Sequence, residues 1–225
     1  GAIYRACRLT PMSAGTTQIL FGSTARPVGP ATAGLRRYRL CAEGTGMSLE
    51  GLRRVLPHST IPSEIDRVGD WTQVERILGT RLPPDYKDYI NAYGSAIIVW
   101  SHDLHILPHN PFSALPHRNL LRQLDPELAV LHEVKSWRDH LPFPIYPEPE
   151  GLLPWGTSGD GDKLYWQMIG QPADWPVVVM ETHWGPMEQF ADSMTSFLTK
   201  LLSGTLQSQI WSDYEPPDAG EEDSP

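Results

Sequence analysis

The hydrophobic positions of this chain change period several times between about residue 48 and residue 211, and each change predicts an element. After Asp70, apolar residues fall at Trp71, Val74, Ile77 and Leu78, a stripe at helical spacing. Asp70 with Gln73 three residues on resembles a capping box, and Gly79 closes the short helix. Leu82-Pro83-Pro84-Asp85 opens a second helix, with proline in the first turn, where its missing N–H costs nothing. Its inward face is Tyr86, Tyr89, Ile90 and Tyr93, and Gly94 ends it. Short apolar runs at Ala96–Trp100 and Leu104–Leu107 read as strands.

Asp125-Pro126-Glu127 has the composition of a helix start, and Leu128, Leu131 and Val134 carry that helix on to about His140. The proline-rich link Pro142–Pro149 is expected to be extended. Strands follow at Leu164–Ile169 and Val177–Met180, with a hairpin turn at Ser158–Asp162 before the first of them. Ser193 caps a last helix that buries Met194, Phe197, Leu198, Leu201 and Leu202 and stops at Gly204. Helices, strands, helix, strands, helix is the order of an α+β fold with a largely antiparallel sheet flanked by helices. The 22 Pro and 19 Gly agree with a turn-rich mixed fold, and the eight Trp with a substantial core.

The two ends differ in composition. Residues 1–46 hold six Arg and one Glu, with no amphipathic period, and Met47 opens the run MSLEGLRRVL. We read 1–46 as a disordered arm or an over-extended reading frame, with an Arg-bearing targeting peptide as a further reading. Residues 212–225 end in DYEPPDAGEEDSP, six acids and three Pro, and are expected to be disordered. One domain is left, at 48–211.

The net charge is −9, and removing 1–46 leaves 12 basic and 26 acidic residues, a net of −14. Such a surface is a poor ligand for nucleic acid, which needs cations, and suits a basic protein partner. The two cysteines, Cys7 and Cys41, lie in the N-terminal segment, so no disulfide framework holds the domain. No apolar run reaches the roughly 18 residues that cross a bilayer, and no secretory signal is evident, so a cytoplasmic setting is expected.

Catalytic and metal motifs are weak. There is no Gly-x-Ser-x-Gly elbow, P-loop or dinucleotide glycine pattern, and carboxylates are plentiful without a recognisable facing pair. His102, His105 and His109 have spacings that suit one helix face. Pro108 and the apolar residues around them indicate strand and turn instead, with Asp103 the only close carboxylate. Asp160-Gly161-Asp162 is a fragment of a Ca²⁺ loop that lacks the remaining ligands. No cofactor or metal is expected, and no enzymatic activity.

The stretch Gly151–Val179, GLLPWGTSGDGDKLYWQMIGQPADWPVVV, concentrates three Trp around tight turns. Together with Trp71, Val74-Glu75, Leu78-Gly79, Leu82-Pro83-Pro84-Asp85-Tyr86 and Tyr93-Gly94, it carries a resemblance. The later pieces are Leu153-Pro154-Trp155-Gly156, Asp160-Gly161-Asp162, Tyr165-Trp166, Asp174-Trp175-Pro176-Val177 and Phe197-Leu198. In this order, over roughly 71–204, they resemble the SUKH superfamily of the Smi/Knr type, whose members include bacterial immunity proteins and a fungal cell-wall assembly regulator.

The resemblance implies a single Smi/Knr-like domain that acts by tight binding without a reaction. It implies an immunity protein that neutralises a polymorphic toxin of nuclease or deaminase type, or else a regulatory or scaffold module recruiting a cellular protein. Its motif (Trp71, Leu82, Pro83, Tyr86, Tyr93, Gly94, Pro154, Trp155, Gly156, Trp175 and Pro176) is mainly structural.

Contact residues must come from elsewhere. Trp166 is either sheet core or part of an exposed binding face. Asp160 and Asp162 are either turn chemistry or, with Glu148, Glu150 and Asp174, an acidic face that mimics phosphates toward a basic toxin. The oligomeric state is left open.

Overall fold

The computed structural model describes residues 49–56, 60–65, 67, 69–100, 104–137, 141–182 and 185–212. The expectations for 1–46 and 213–225, for His102 and Asp103, and for a helix reaching His140 lie outside these residues. The chain divides into units of residues 1–43 and 44–225, and every described residue belongs to the second.

Among the described residues there are five α-helices: α1 Leu49–Val55, α2 Trp71–Leu78, α3 Pro84–Tyr93, α4 Leu120–Trp137 and α5 Met194–Leu202. Two short 3₁₀ turns, Pro116–Arg118 and Pro172–Asp174, join elements. The strands are β1 Ile98–Val99, β2 His105–Pro108, β3 Leu152–Ser158, β4 Lys163–Gln167, β5 Val177–Met180 and β6 Met187–Phe190. They form one six-stranded sheet in sequence order, antiparallel at every step. This is the α+β fold with an antiparallel sheet that the sequence predicts.

Strand alternation explains why the sheet carries helices on both faces. Leu164 and Trp166 of β4 and Val177 and Val179 of β5 point to one face, where residues of α1, α2, α3 and α5 complete the larger core. Tyr165, Val178 and Met180, one position out of phase, point to the other and pack with Leu131 and Val134 of α4. Strands buried on both sides lose the apolar–polar alternation that marks a half-exposed strand. For that reason β3 is hard to see in the sequence: it is buried at every position except Thr157. Its Pro154 removes a ladder donor, and the register with β4 shifts between Pro154 and Gly156.

The large core contains a run of aromatic rings. Trp71 meets Tyr86 edge-on at 5.9 Å, Tyr86 meets Trp166 at 4.9 Å, and Trp166 stacks on Trp155 at 5.9 Å. Trp155 then meets Phe197 at 6.4 Å, and Phe197 meets Trp211 at 5.9 Å. The run links α2, α3, the sheet, α5 and the C-terminal segment, and each such pair adds roughly 0.5–1.5 kcal/mol beyond burial.

The local signals of α2 and α3 act as read. The Asp70 carboxylate accepts from Thr72 N at 2.8 Å, and Gly79 ends α2 in the left-handed region. A Cβ on Gly94, which ends α3 at a φ of 61°, would overlap the Ser63 carbonyl.

Three expectations are corrected. Ile77 is exposed, so the buried stripe of α2 is Val74 and Leu78. Helix α4 begins at Leu120, five residues before Asp125, because the Asn119 side chain accepts from Leu121 N and Arg122 N at 3.1 and 3.2 Å and caps it there. Pro126 therefore sits inside the helix, without the backbone donor that an interior position normally supplies. The link Pro142–Pro149 is not extended throughout. It forms a bridge at Ile145 and then turns, with a cis Tyr146–Pro147 bond. Helix α1 and strand β6 have no counterpart in the sequence reading.

Candidate functional site

The sheet separates the sequence-predicted contact acids into two groups. At one end, β3 passes into β4 through the turn 159–162. At the other, β3 begins, β4 ends and β5 begins. Seven residues of β3 lie between, about 20 Å at the usual rise of a strand. Asp160 belongs to the first end and is exposed. Glu148, Glu150 and Asp174 belong to the second and are also exposed. A single acidic face containing all five acids does not exist.

Of the two readings of Asp162, the structure supports turn chemistry. It is 3% exposed and forms a hub. Its carboxylate accepts from Trp211 Nε1 at 2.8 Å, from Ser158 Oγ at 2.9 Å and from Thr182 N at 2.9 Å. Its own N–H donates to Ser158 Oγ, and its carbonyl accepts from Thr157 Oγ1 and Ser158 N. A carboxylate with three donors is fully occupied inside the protein, and it ties the hairpin to β5 and to the C-terminal segment.

Of the two readings of Trp166, the structure supports sheet core. It is 0% exposed, held between Tyr86, Trp155 and Trp175, so it serves the core and presents no face to a partner. The motif residues Leu82, Pro83, Tyr86, Gly94, Pro154, Trp155, Gly156 and Trp175 are all buried, and Trp71, Tyr93 and Pro176 half-buried. Contrary to the usual demand of a buried indole, the N–H groups of Trp155, Trp166 and Trp175 have no hydrogen-bond partner.

The opposite end is built differently. Gly151 O accepts from Met168 N at 3.2 Å, and Pro176 O accepts from Gln167 N at 3.0 Å. These bonds align Glu150, Ile169 and Asp174 along one rim. Glu150 has a φ of 60°, a conformation that costs a non-glycine residue energy. The turn that imposes it is tight: a Cβ on Gly151 would lie 2.6 Å from Tyr146 N and 2.7 Å from Glu148 O. Glu148 is joined to the C-terminal turn of α4 by Lys135, at 3.7 Å, both side chains about half exposed. Two residues beyond Lys135, Trp137 is 65% exposed, and on the rim Ile169 is 40% exposed. Acids, an exposed indole and an exposed isoleucine therefore share one end of the molecule.

The sequence reading missed Trp137, Lys135 and Ile169. No local signal marks Trp137 as exposed, since it follows Leu131 and Val134 at the same three-residue spacing. Nothing local marks Ile169, whose position depends on where β4 ends.

His105 is half-buried on β2, His102 lies outside the described residues, and His109 is buried. Burial, helped by the nearby positive charge of Lys163, pushes His109 down to about 4, so it is neutral at pH 7. Among the described residues no group of three or more His, Cys, Asp or Glu is placed to hold a metal ion. Nor is any of their helices long and apolar enough to cross a membrane.

A family model, SUKH_6, described as SMI1-KNR4 cell-wall, matches residues 69–198, more than half of the chain. The chain belongs to the SUKH family. No curated protein and no solved structure matches it. The SUKH match begins just before α2 and ends within α5, so it spans the whole sheet and the rim at Glu148, Glu150 and Asp174. Members of the SUKH family are generally non-catalytic.

Proposed function

We propose that this SUKH domain is a non-catalytic, cytoplasmic binding protein of the immunity type, which binds and neutralises a basic toxin domain of nuclease or deaminase type. The observation that carries the reading is the exposed rim of Glu148, Glu150 and Asp174 with Ile169, at the end of the sheet where Lys135 of α4 meets Glu148 and where α4 ends in exposed Trp137. Tryptophan is a frequent energetic centre of interfaces, and acids around it favour a cationic partner. The mechanism is occlusion: the acids take the places of substrate phosphates at a basic cleft, and the exposed apolar side chains exclude water around them. The net −14 of residues 47–225 also speeds encounter with a cation, and that gain falls as salt screens it.

The family description favours a second reading, a regulatory or scaffold module that recruits a cellular protein concerned with the cell wall. Affinity capture with the tagged full chain from its own host, at low and moderate salt, separates the two. A near-stoichiometric basic partner whose toxicity is relieved by co-expression of this chain is the result expected. Capture of envelope or signalling proteins, with no relief of toxicity, overturns immunity in favour of recruitment.

A further inference from the structure

The sheet ends in two edges. One is β1, two residues long, and the other is β6, Met187–Phe190. The register shows which way the backbone of β6 faces. Glu181 N donates to Pro186 O at 3.1 Å, which makes these two residues a bonded pair that continues the β5–β6 ladder. Bonded pairs alternate along an antiparallel ladder, so Val179 with Glu188 and Val177 with Phe190 are bonded too. The ladder between β4 and β5 agrees. Gln167 N donates to Pro176 O at 3.0 Å, which assigns Val178 and Met180 to β4 and leaves Val177 and Val179 to β6.

Met187 and Gln189 therefore turn their N–H and C=O groups away from the sheet. These groups have no hydrogen-bond partner among the described residues. The two residues lie about 7 Å apart, the spacing at which an extended chain presents alternate residues. Edges of this kind are usually blunted by lysine, proline or a bulge. Met187 to Ala191 include no lysine or proline, and the register with β5 is unbroken. Nor do the side chains cover the edge. The Gln189 amide donates to Gln167 Oε1, across β5 and away from the edge. Glu188 turns to the large-core side, where its carboxylate accepts from Ser208 Oγ and Gln209 N at 2.6 and 2.7 Å.

Two occupants from this protein itself fit badly. An antiparallel second copy that uses all of these groups pairs Met187 with Gln189, and that register sets two Glu188 residues directly opposite each other. Residues 213–225 hold six acids and three Pro, poor material for a strand beside further acids. Asp192, just past the strand, is paired with Lys200 at 2.7 Å, which leaves Glu181 and Glu188 as the acids along the edge. They favour a cationic occupant. We propose that the open edge of β6 takes up an extended, lysine- or arginine-bearing segment of a partner protein as an added strand, its backbone bonded to Met187 and Gln189 and its cations beside Glu181 and Glu188. The choice of a cationic segment rests on the basic partner proposed above; the open edge does not.

The test is titration of the full chain, at moderate salt, with an acetylated seven-residue peptide of alternating lysine and valine, read by backbone amide signals and hydrogen exchange in NMR. A Kd of about 1 mM is expected. At saturation the amides of Met187 and Gln189 should exchange about tenfold more slowly, while those of Glu188 and Phe190, already bonded to β5, change little. The same peptide N-methylated at every residue keeps its charge but loses its donors, and should bind at least about tenfold more weakly. Gln189→Pro, which removes one outward N–H and no ladder bond, should weaken binding to a similar degree. Met187 and Gln189 amides that stay unprotected overturn the proposal, as does equal binding of the N-methylated peptide. Equal protection by a glutamate–valine peptide overturns it as well, since the edge then has no preference for cations. Relief of toxicity is a separate readout: a chain that binds the lysine peptide at this edge but relieves no toxicity loses the immunity reading and keeps the strand-binding edge.

Discussion

The two ends of the central sheet use the same residue type for opposite purposes. At the hairpin end, Asp162 is 3% exposed and accepts from three donors that belong to three separate segments. At the other end, Glu148 is 54% exposed, and its ion pair is a 3.7 Å contact with a lysine that is 49% exposed. The first is a structural lock and the second a surface. Burial and donor count decide which role an aspartate or glutamate takes, because a carboxylate out of water persists only where fixed donors replace its hydration. The polar side of each end follows from where the strands stop, and that depends on pairing across the sheet.

Breaking the lock should give the largest change in stability. Asp162→Ala leaves Trp211 Nε1 and Thr182 N without their acceptor and loosens the C-terminal segment from the hairpin. Urea unfolding should show a loss of about 3–5 kcal/mol, as several charge-assisted bonds go together. Asp160→Ala, two residues away and exposed, should stay within about 0.5 kcal/mol. Equal effects at the two positions would end the distinction drawn between them.

A second effect comes from the middle of the sheet, where His109 donates its backbone N–H to Trp155 O at 2.8 Å. Its folded value is lowered to about 4 from an ordinary 6.5 by burial and by Lys163. The unfolded chain therefore takes up the proton first as pH falls. Stability is complete above 6.5, declines between 6.5 and about 4, and this contribution is flat below that. The loss is about 3 kcal/mol at most.

Two carboxylates titrate in a lower window. For Glu64, desolvation raises the value, but hydrogen bonds from Ser113, Ser95 and Ala114 N and the Arg67 charge together outweigh it. For Glu75, desolvation also raises it, and the Lys87 hydrogen bond, Leu82 N and the charges of Lys87 and Arg81 outweigh that. Both folded values are lowered, so their stabilisation is present above the usual glutamate value and is lost as pH falls through the lower folded one. His109→Asn should thus flatten unfolding free energy between pH 6.5 and 4 and leave the acid limb in place. An unchanged slope in the upper window would remove His109 as its source.

The parts of the fold written locally were legible. The Asp70 cap, the Gly79 stop, the prolines opening α3 and the Asp-Gly turn each act within a few residues, and each appears where the sequence places it. The start of α4 was misread because two capping signals compete. Asp125-Pro126 has the favoured composition, but Asn119 has the donors within reach. Strands β3 and β6 were obscure for opposite reasons, one buried on both faces and the other an edge with mixed exposure. For Trp166 and Asp162 the sequence reading kept a core or turn role beside a surface role, because sequence alone does not say which way a strand or hairpin residue points. Alternation turns Tyr165 and Trp166 to opposite faces, and the hairpin sends Asp160 outward and Asp162 inward.

The smallest effect on stability should come from the acidic rim, and there the comparison meets function. Glu148→Lys, Glu150→Lys and Asp174→Lys together remove one exposed ion pair and no buried hydrogen bond among those described, so unfolding should shift by about 1 kcal/mol or less. If the rim receives a basic partner, the triple variant should lower the association rate about 10–100-fold at low salt, an effect that shrinks as salt is raised. Asp160→Lys reverses one charge at the far end and should slow association far less. A like-for-like comparison is single against single: Glu150→Lys should exceed Asp160→Lys, because only Glu150 lies beside Ile169 on the rim, at the end where α4 presents Trp137. If Asp160→Lys slows association as much as Glu150→Lys, the partner responds to net charge alone, and the rim loses its claim as the contact face. If Trp137→Ala raises the dissociation rate while the lysine variants act on association, the two parts of the rim divide the work as interfaces do, with charge governing encounter and an apolar anchor governing residence.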